Sequence, residues 1–226
     1  MEKIELICTL SSLVITLLAA TAAFVYGLRH FFKKGKPLCM QSLTIGIGSH
    51  ALGSAYQLCL ILSTGSFLEG FTPAYLGRIG FFLCILSASY GQLDKIVDDG
   101  SERMRASRII AVIAPICVAL LYVPNAIIPD VPVETKISYA LVWVPAIFST
   151  YFNLKHAIIP DLDFGFIKAI KPYNFFALCL AFSELVCLTV WDYLYSFVLV
   201  GASLVFGALC ICTVIAARKG VEKWTI

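Results

Sequence analysis

Seven long apolar runs, separated by short polar segments, account for nearly the whole chain. They cover about residues 4–28, 38–62, 73–93, 107–127, 136–154, 173–192 and 195–217. An α-helix needs about 20 mostly apolar residues to cross the hydrocarbon layer, and each run meets that length. The pattern predicts an all-α integral membrane protein with seven transmembrane helices. The sixth and seventh runs are divided only by the few residues around Asp192 and Ser196. Joined, they are far too long for one crossing, so seven is preferred over six.

The polar segments carry the orientation. Arg29, Lys33, Lys34 and Lys36 follow the first run; Lys95, Arg103, Arg105 and Arg108 lie between the third and fourth. Lys155, Lys168 and Lys171 lie between the fifth and sixth, and Arg218, Lys219 and Lys223 follow the seventh. With seven crossings all of these fall on one side, against Lys3 and Lys136 on the other and Arg78 just inside the third run. Lysine and arginine are retained on the cytoplasmic face. The expected topology therefore has the N-terminus outside and the C-terminus in the cytoplasm, in the plasma membrane. The first run has its basic cluster after the apolar stretch, unlike a cleavable signal peptide, and is expected to stay attached.

Composition agrees: 60% of the 226 residues are hydrophobic and only 14% are charged, where soluble domains run near 45–50% and about 25%. One membrane domain spanning 1–226 is expected, with no separate soluble unit. Nine cysteines stand singly or as Cys210-x-Cys212, without zinc spacing, and read as small membrane-embedded hydrophobes. No cofactor, metal or nucleic-acid partner is expected; the lipid bilayer is.

A short likeness links the two ends of the chain. "YGLRHFFKKGKP" (Tyr26–Pro37) and "FNLKHAIIPDLDFGFIKAIKP" (Phe152–Pro172) each open aromatic-x-Leu-[Arg/Lys]-His and close Lys-x-x-Lys-Pro before the next run. A 3+1+3 parallel repeat would account for it, with 1–95 and 136–219 as copies joined by the fourth helix at about 107–127. Basic loops ending in a helix-start proline account for it as well. On the repeat reading, His50 and Glu184 lie 13 and 12 residues beyond the matching prolines. At 1.5 Å per residue both sit roughly 18–20 Å from the helix start, near the midplane, where parallel-repeat transporters bind their substrates. Seven helices arranged 3+1+3 with this orientation resemble the layout of sugar-efflux, PQ-loop and vitamin-precursor transporters. The PQ dipeptide, their paired prolines and a tryptophan-rich site motif are absent, so no family is assigned.

Glu184 is the sharpest chemical signal, because an ionisable group inside a membrane helix is costly and usually serves a purpose. The candidate substrate-binding set is Glu184, His50, Ser49, Ser54, Tyr56 and Gln57. In it a buried carboxyl and imidazole share a proton or hold a polar ligand; the alternative is that nearby hydroxyls or carbonyls satisfy each separately. Ser42, Gly46, His50 and Ser54 form one stripe, and Ser49, Gly53 and Gln57 the next. Such small-residue faces allow close helix packing or leave room for a cavity. Arg78 is a candidate outer ion pair or gate with Asp192, with snorkelling as the alternative. Tyr90, Gln92 and Asp94 are candidates for an inner vestibule. Pro115, Pro124 and Pro145 mark expected bends.

No lysine for a retinal Schiff base lies in the last run before its cytoplasmic end, and no HExxH, GxSxG or Walker motif occurs. Three function classes remain. The first is a small-solute transporter, with proton coupling as an option. The second is a seven-helix sensor acting through a cytoplasmic protein partner. The third is an intramembrane lipid-modifying enzyme; Ser49 and His50, adjacent on one helix, point about 100° apart and could not easily act together there. An enzyme is the least favoured of the three, the small molecule stays unspecified, and the oligomeric state is open.

Overall fold

The computed structural model describes residues 3–31, 38–65, 71–127, 132–160, 166–192 and 196–224. All regular structure among them is helical: α1 (Lys3–Phe31), α2 (Leu38–Thr64), α3 (Pro73–Leu86), a π-helix (Ser87–Leu93), α4 (Asp94–Val97), a 3₁₀ turn (Glu102–Met104), α5 (Arg105–Ala111), α6 (Ile113–Ile127), α7 (Val133–Ile158), α8 (Phe166–Asp192) and α9 (Ser196–Trp224). Seven helices among the described residues are long and apolar enough to cross a membrane; the third includes part of the π-helix and the fourth runs from the 3₁₀ turn through α6. The expected all-α, seven-helix class is therefore found.

Backbone chemistry fixes the boundaries. Thr72 is extended and Pro73 opens α3, where a missing N–H costs nothing because first-turn donors have no intrahelical acceptor. Pro115 lacks the N–H that would reach the Ala111 carbonyl, and the fourth crossing breaks between α5 and α6 at Val112. Pro124 and Pro145 lie inside continuous helices. Pro172 departs from the sequence reading: α8 begins at Phe166, so this proline sits inside the helix rather than at its start. The helix continues backward from it to Phe166, and only the hydrogen bond to the Lys168 carbonyl is forfeited. Pro37, its counterpart in the repeat reading, lies outside the described residues.

Six crossings form a ring. α1 packs on α2 and α9, α2 on α3, α3 on α7, α7 on α8, and α8 on α9. α2 also touches α9 across the ring, while α6 sits outside it against α7 and α8. Large apolar side chains such as Leu18, Leu52, Leu62, Leu120 and Phe197 are exposed on the outer faces. Inside are Phe81, Phe82, Trp143 and Phe206 together with many polar groups. That distribution suits a chain whose surroundings are lipid tails. Several of the buried hydroxyls need no tertiary partner: Thr44, Ser149, Thr150 and Thr213 bond to the carbonyl three or four residues earlier in their own helices.

α2 and α3 approach closely, through the small-residue stripe. A Cβ placed on Gly77 would come 2.6 Å from the Ser49 carbonyl oxygen and 2.7 Å from Gly53 Cα, and one on Gly53 2.8 Å from the Ala74 carbonyl oxygen. The stripe Ser49–Gly53 is therefore a packing face against α3, which brings Arg78, next to Gly77, beside α2.

Candidate functional site: a buried carboxylate shared by two cationic side chains

α2, α3 and α8 each contribute one ionisable side chain to the centre of the bundle. Glu184 Oε1 accepts a 2.9 Å hydrogen bond from Arg78 Nε and lies 3.0 Å from His50 Nε2. The Glu184 and His50 side chains are 4% and 1% exposed, and Arg78 11%, so their polar atoms depend mainly on one another. The two contacts differ in kind. The arginine bond is well aligned, whereas the imidazole N–H is off-axis and makes a close electrostatic contact rather than a formed hydrogen bond. His50 Nδ1 lies 3.3 Å from Ser54 Oγ, one turn along α2. Arg78 Nη2 donates 3.2 Å to Gln57 Oε1, and its guanidinium lies 6.0 Å from the Tyr75 ring centroid.

Aromatic rings close the site. The His50 ring meets Phe206 of α9 at 4.8 Å and Phe81 of α3 at 5.3 Å between centroids. A desolvated charge in such a setting must be paired, since an uncompensated one costs several kcal/mol. Glu184 answers the requirement with two partners on two different helices.

The sequence expectations map onto this geometry unevenly. His50 and Glu184 are brought together, with Ser54 and Gln57 in the surrounding polar network. Ser49 lies against α3 beside Gly80, and Tyr56 is exposed on the outer face of α2. The described partners of Arg78 are Glu184 and Gln57; the side chains of Asp192 and Gln92 lie outside the described residues. Tyr90 is exposed and stacks against Phe152 at 5.0 Å.

Asp94, expected in an inner vestibule, instead belongs to a second charged network that sequence reasoning did not assemble. Lys155 of α7 is buried and bridges Asp94 and Asp98, lying 3.2 Å from Asp98 Oδ2. His156 Nε2 lies 2.9 Å from Asp94 Oδ1. Arg108 grips Asp98 with two donors, at 2.6 and 2.8 Å. Burial pushes the Asp94 carboxyl up, but hydrogen bonds from His156 and Lys155 outweigh it and hold the group below its ordinary value. The Arg108 guanidinium, helped by the Gly100 N–H and Lys155, holds Asp98 lower still. The network ties the end of the third crossing to α5 and α7. Beside it Ser89, in the π-helix, donates 2.8 Å to Asn153 Oδ1. π-helical turns recur at functional sites because they reposition side chains without ending the helix. The clue in the sequence was the Asp94-x-x-x-Asp98 spacing opposite a lysine that ends a membrane run.

No group of residues suited to a metal ion occurs among the described residues. Fold and site together define a multi-pass membrane protein whose helices converge on a buried ion cluster. No family model, curated protein or solved structure matches the chain.

Proposed function

We propose that this protein is a small-solute transporter that moves a proton together with an anionic solute. One observation carries the reading: a single buried carboxylate, Glu184, is shared by Arg78 and His50, from different helices. With His50 neutral, Arg78 and Glu184 cancel. A proton on His50 leaves the cluster with one excess positive charge. A solute carboxylate or similar anion that engages Arg78 restores neutrality, so proton and anion each make the other's burial less costly. Glu184, released from Arg78, turns wholly to His50. The closed, aromatic-capped arrangement then corresponds to the occluded resting state.

The topology supports the same reading. The charge segregation argues for an outside N-terminus and a cytoplasmic C-terminus in the plasma membrane. The ring order is what a 3+1+3 repeat requires: pairing α1, α2 and α3 with α7, α8 and α9 turns each neighbour contact into another. His50 and Glu184 then occupy equivalent helices and meet at the repeat interface, where parallel-repeat transporters bind substrate.

The test is uptake in proteoliposomes under an inward proton gradient, using a panel of small carboxylates, amino acids and neutral solutes. Gradient-driven uptake of an anionic solute is expected, lost in Glu184→Gln and uncoupled from pH in His50→Gln. If transport is found only for neutral solutes, or survives Glu184→Gln at all pH values, the coupling scheme is wrong.

A sensor is the second reading, favoured by the Asp94–Lys155–His156 network beside the π-helix. That cluster lies at the end assigned to the cytoplasm, where a bundle rearrangement would reach a protein partner. Co-purification of such a partner, dependent on Lys155 and without solute flux, would select it.

A further inference from the structure

A groove of about 340 Å³ runs between α8 and α9 on the outside of the bundle, remote from the ion cluster. Its lining changes character along its length. At one end stand Lys168 and Lys219, both exposed. At the other, Phe176 and Cys212 are half-buried and apolar, with Pro172 and Ile215 between. From Lys168 to Phe176 the helix rises roughly 12 Å, and from Cys212 to Lys219 roughly 10 Å. The groove is thus basic at the helix ends and apolar toward the middle of the bilayer, the polarity of an amphiphile rather than of a soluble anion. Neither lysine has an acidic partner among the described residues, whereas neighbouring Arg218 is engaged by Glu222 and Tyr26. Pro172 adds an acceptor, since its missing N–H leaves the Lys168 carbonyl outside the helix ladder.

We infer that this groove is a binding site for one anionic phospholipid of the surrounding bilayer, its phosphate between Lys168 and Lys219 and the first part of an acyl chain along Phe176, Ile215 and Cys212. Basic pockets between membrane helices at the headgroup level bind anionic lipids in this way. The inference does not depend on the transport reading, because it uses none of the residues of the ion cluster.

Native mass spectrometry of the full chain, released from nanodiscs of mixed phosphatidylglycerol and phosphatidylcholine, tests it. The protein is expected to retain one phosphatidylglycerol about 25-fold in preference to phosphatidylcholine, roughly fivefold for each lysine at the surface. The paired substitution Lys168→Gln and Lys219→Gln should abolish the preference, while Lys136→Gln, at the other end of the bundle, keeps it. Cys212→Phe, which fills the groove without changing its charge, should also abolish retention. Equal retention of the two lipids by the native chain overturns the inference. So does an unchanged preference in either groove variant, or displacement of the lipid by free glycerol phosphate at low millimolar concentration.

Discussion

Replacing Glu184 with glutamine and then with leucine separates charge, hydrogen bonding and packing at the bundle centre. Glutamine keeps the shape and an acceptor oxygen for Arg78 Nε, now 2.9 Å from Oε1; it removes only the charge. Unit charges about 4 Å apart at an effective dielectric near 20 attract by about 4 kcal/mol. Part of that is returned, because a neutral side chain no longer needs desolvating and Arg78 retains Gln57 as a partner. A net loss of about 1.5–3 kcal/mol is expected for Glu184→Gln, the range for hydrogen bonds to charged groups. Leucine also removes the acceptor and leaves a guanidinium only 11% exposed without its anion, for which about 3–5 kcal/mol is the usual cost. Reversible unfolding in mixed micelles measures both. In an Arg78→Met background the leucine penalty should fall by about 1–3 kcal/mol, since contacting residues couple by that amount. Strict additivity of Arg78→Met and Glu184→Leu, or a leucine variant as stable as the native chain, would refute the argument that the carboxylate is held there by its pairing. Transport should respond more sharply than stability: Glu184→Gln is expected to fold and to be inactive.

Three further outcomes follow from other parts of the structure. Gly77→Ala should cost about 1–3 kcal/mol by overpacking, because its Cβ would meet α2 backbone. Gly91→Ala, whose Cβ would meet nothing within 4 Å, should fall within about 0.5 kcal/mol of the native chain; thermal melts of the pair check the contrast. Lys155→Met removes the cation between Asp94 and Asp98, which keep His156 and Arg108 as partners, and should destabilise by about 1.5–3 kcal/mol, measured as a shift of the unfolding midpoint. Asp98 and Asp94 have folded-state pKa values below the unfolded carboxylate value of about 3.9. Their contribution is therefore complete above that pH and is lost as the pH falls through the lower folded values. Stability should decline on acidification below about pH 4, less steeply in Asp98→Asn; parallel acid titrations of the two proteins would expose the opposite result.

Helix existence was legible in the sequence because length and apolarity are local properties. Each of the seven runs became a membrane-length helix, and the third begins at Pro73, where its apolar run was placed. The start of α8 was misplaced for an instructive reason. A proline after basic residues looks like a helix beginning, yet one proline late in the second turn removes a single hydrogen bond, and the helix runs on through it. The composition of the α2 stripe was also visible, and close packing was one of the two uses it allowed. Gly53 and Gly77 are 24 positions apart, and only the meeting of their backbones shows that the stripe serves packing rather than a hollow.

The central site shows how far one-dimensional reasoning reaches. Cost alone singled out Glu184: a carboxyl deep in an apolar run demands a partner, and His50 at matching depth was one candidate, with nearby hydroxyls or carbonyls as the alternative. Depth could not supply the azimuth. Arg78 was weighed against Asp192, which stands near the same helix ends and whose side chain lies outside the described residues; its long side chain reaches Glu184, 106 residues away, a contact that sequence position did not suggest. An arginine extends several ångströms from its backbone, so its Cα depth understates where its charge resides. The same error hid the second network, in which Lys155 looked like an ordinary cytoplasmic-boundary charge and proved to be 3% exposed, held between two aspartates. In both clusters the long stem of the cation, and not its place in the sequence alone, sets where the charge lies. For a membrane bundle, the depth of each acid can therefore be read from the chain, but the identity of its base must be sought among every arginine and lysine within a side chain's length.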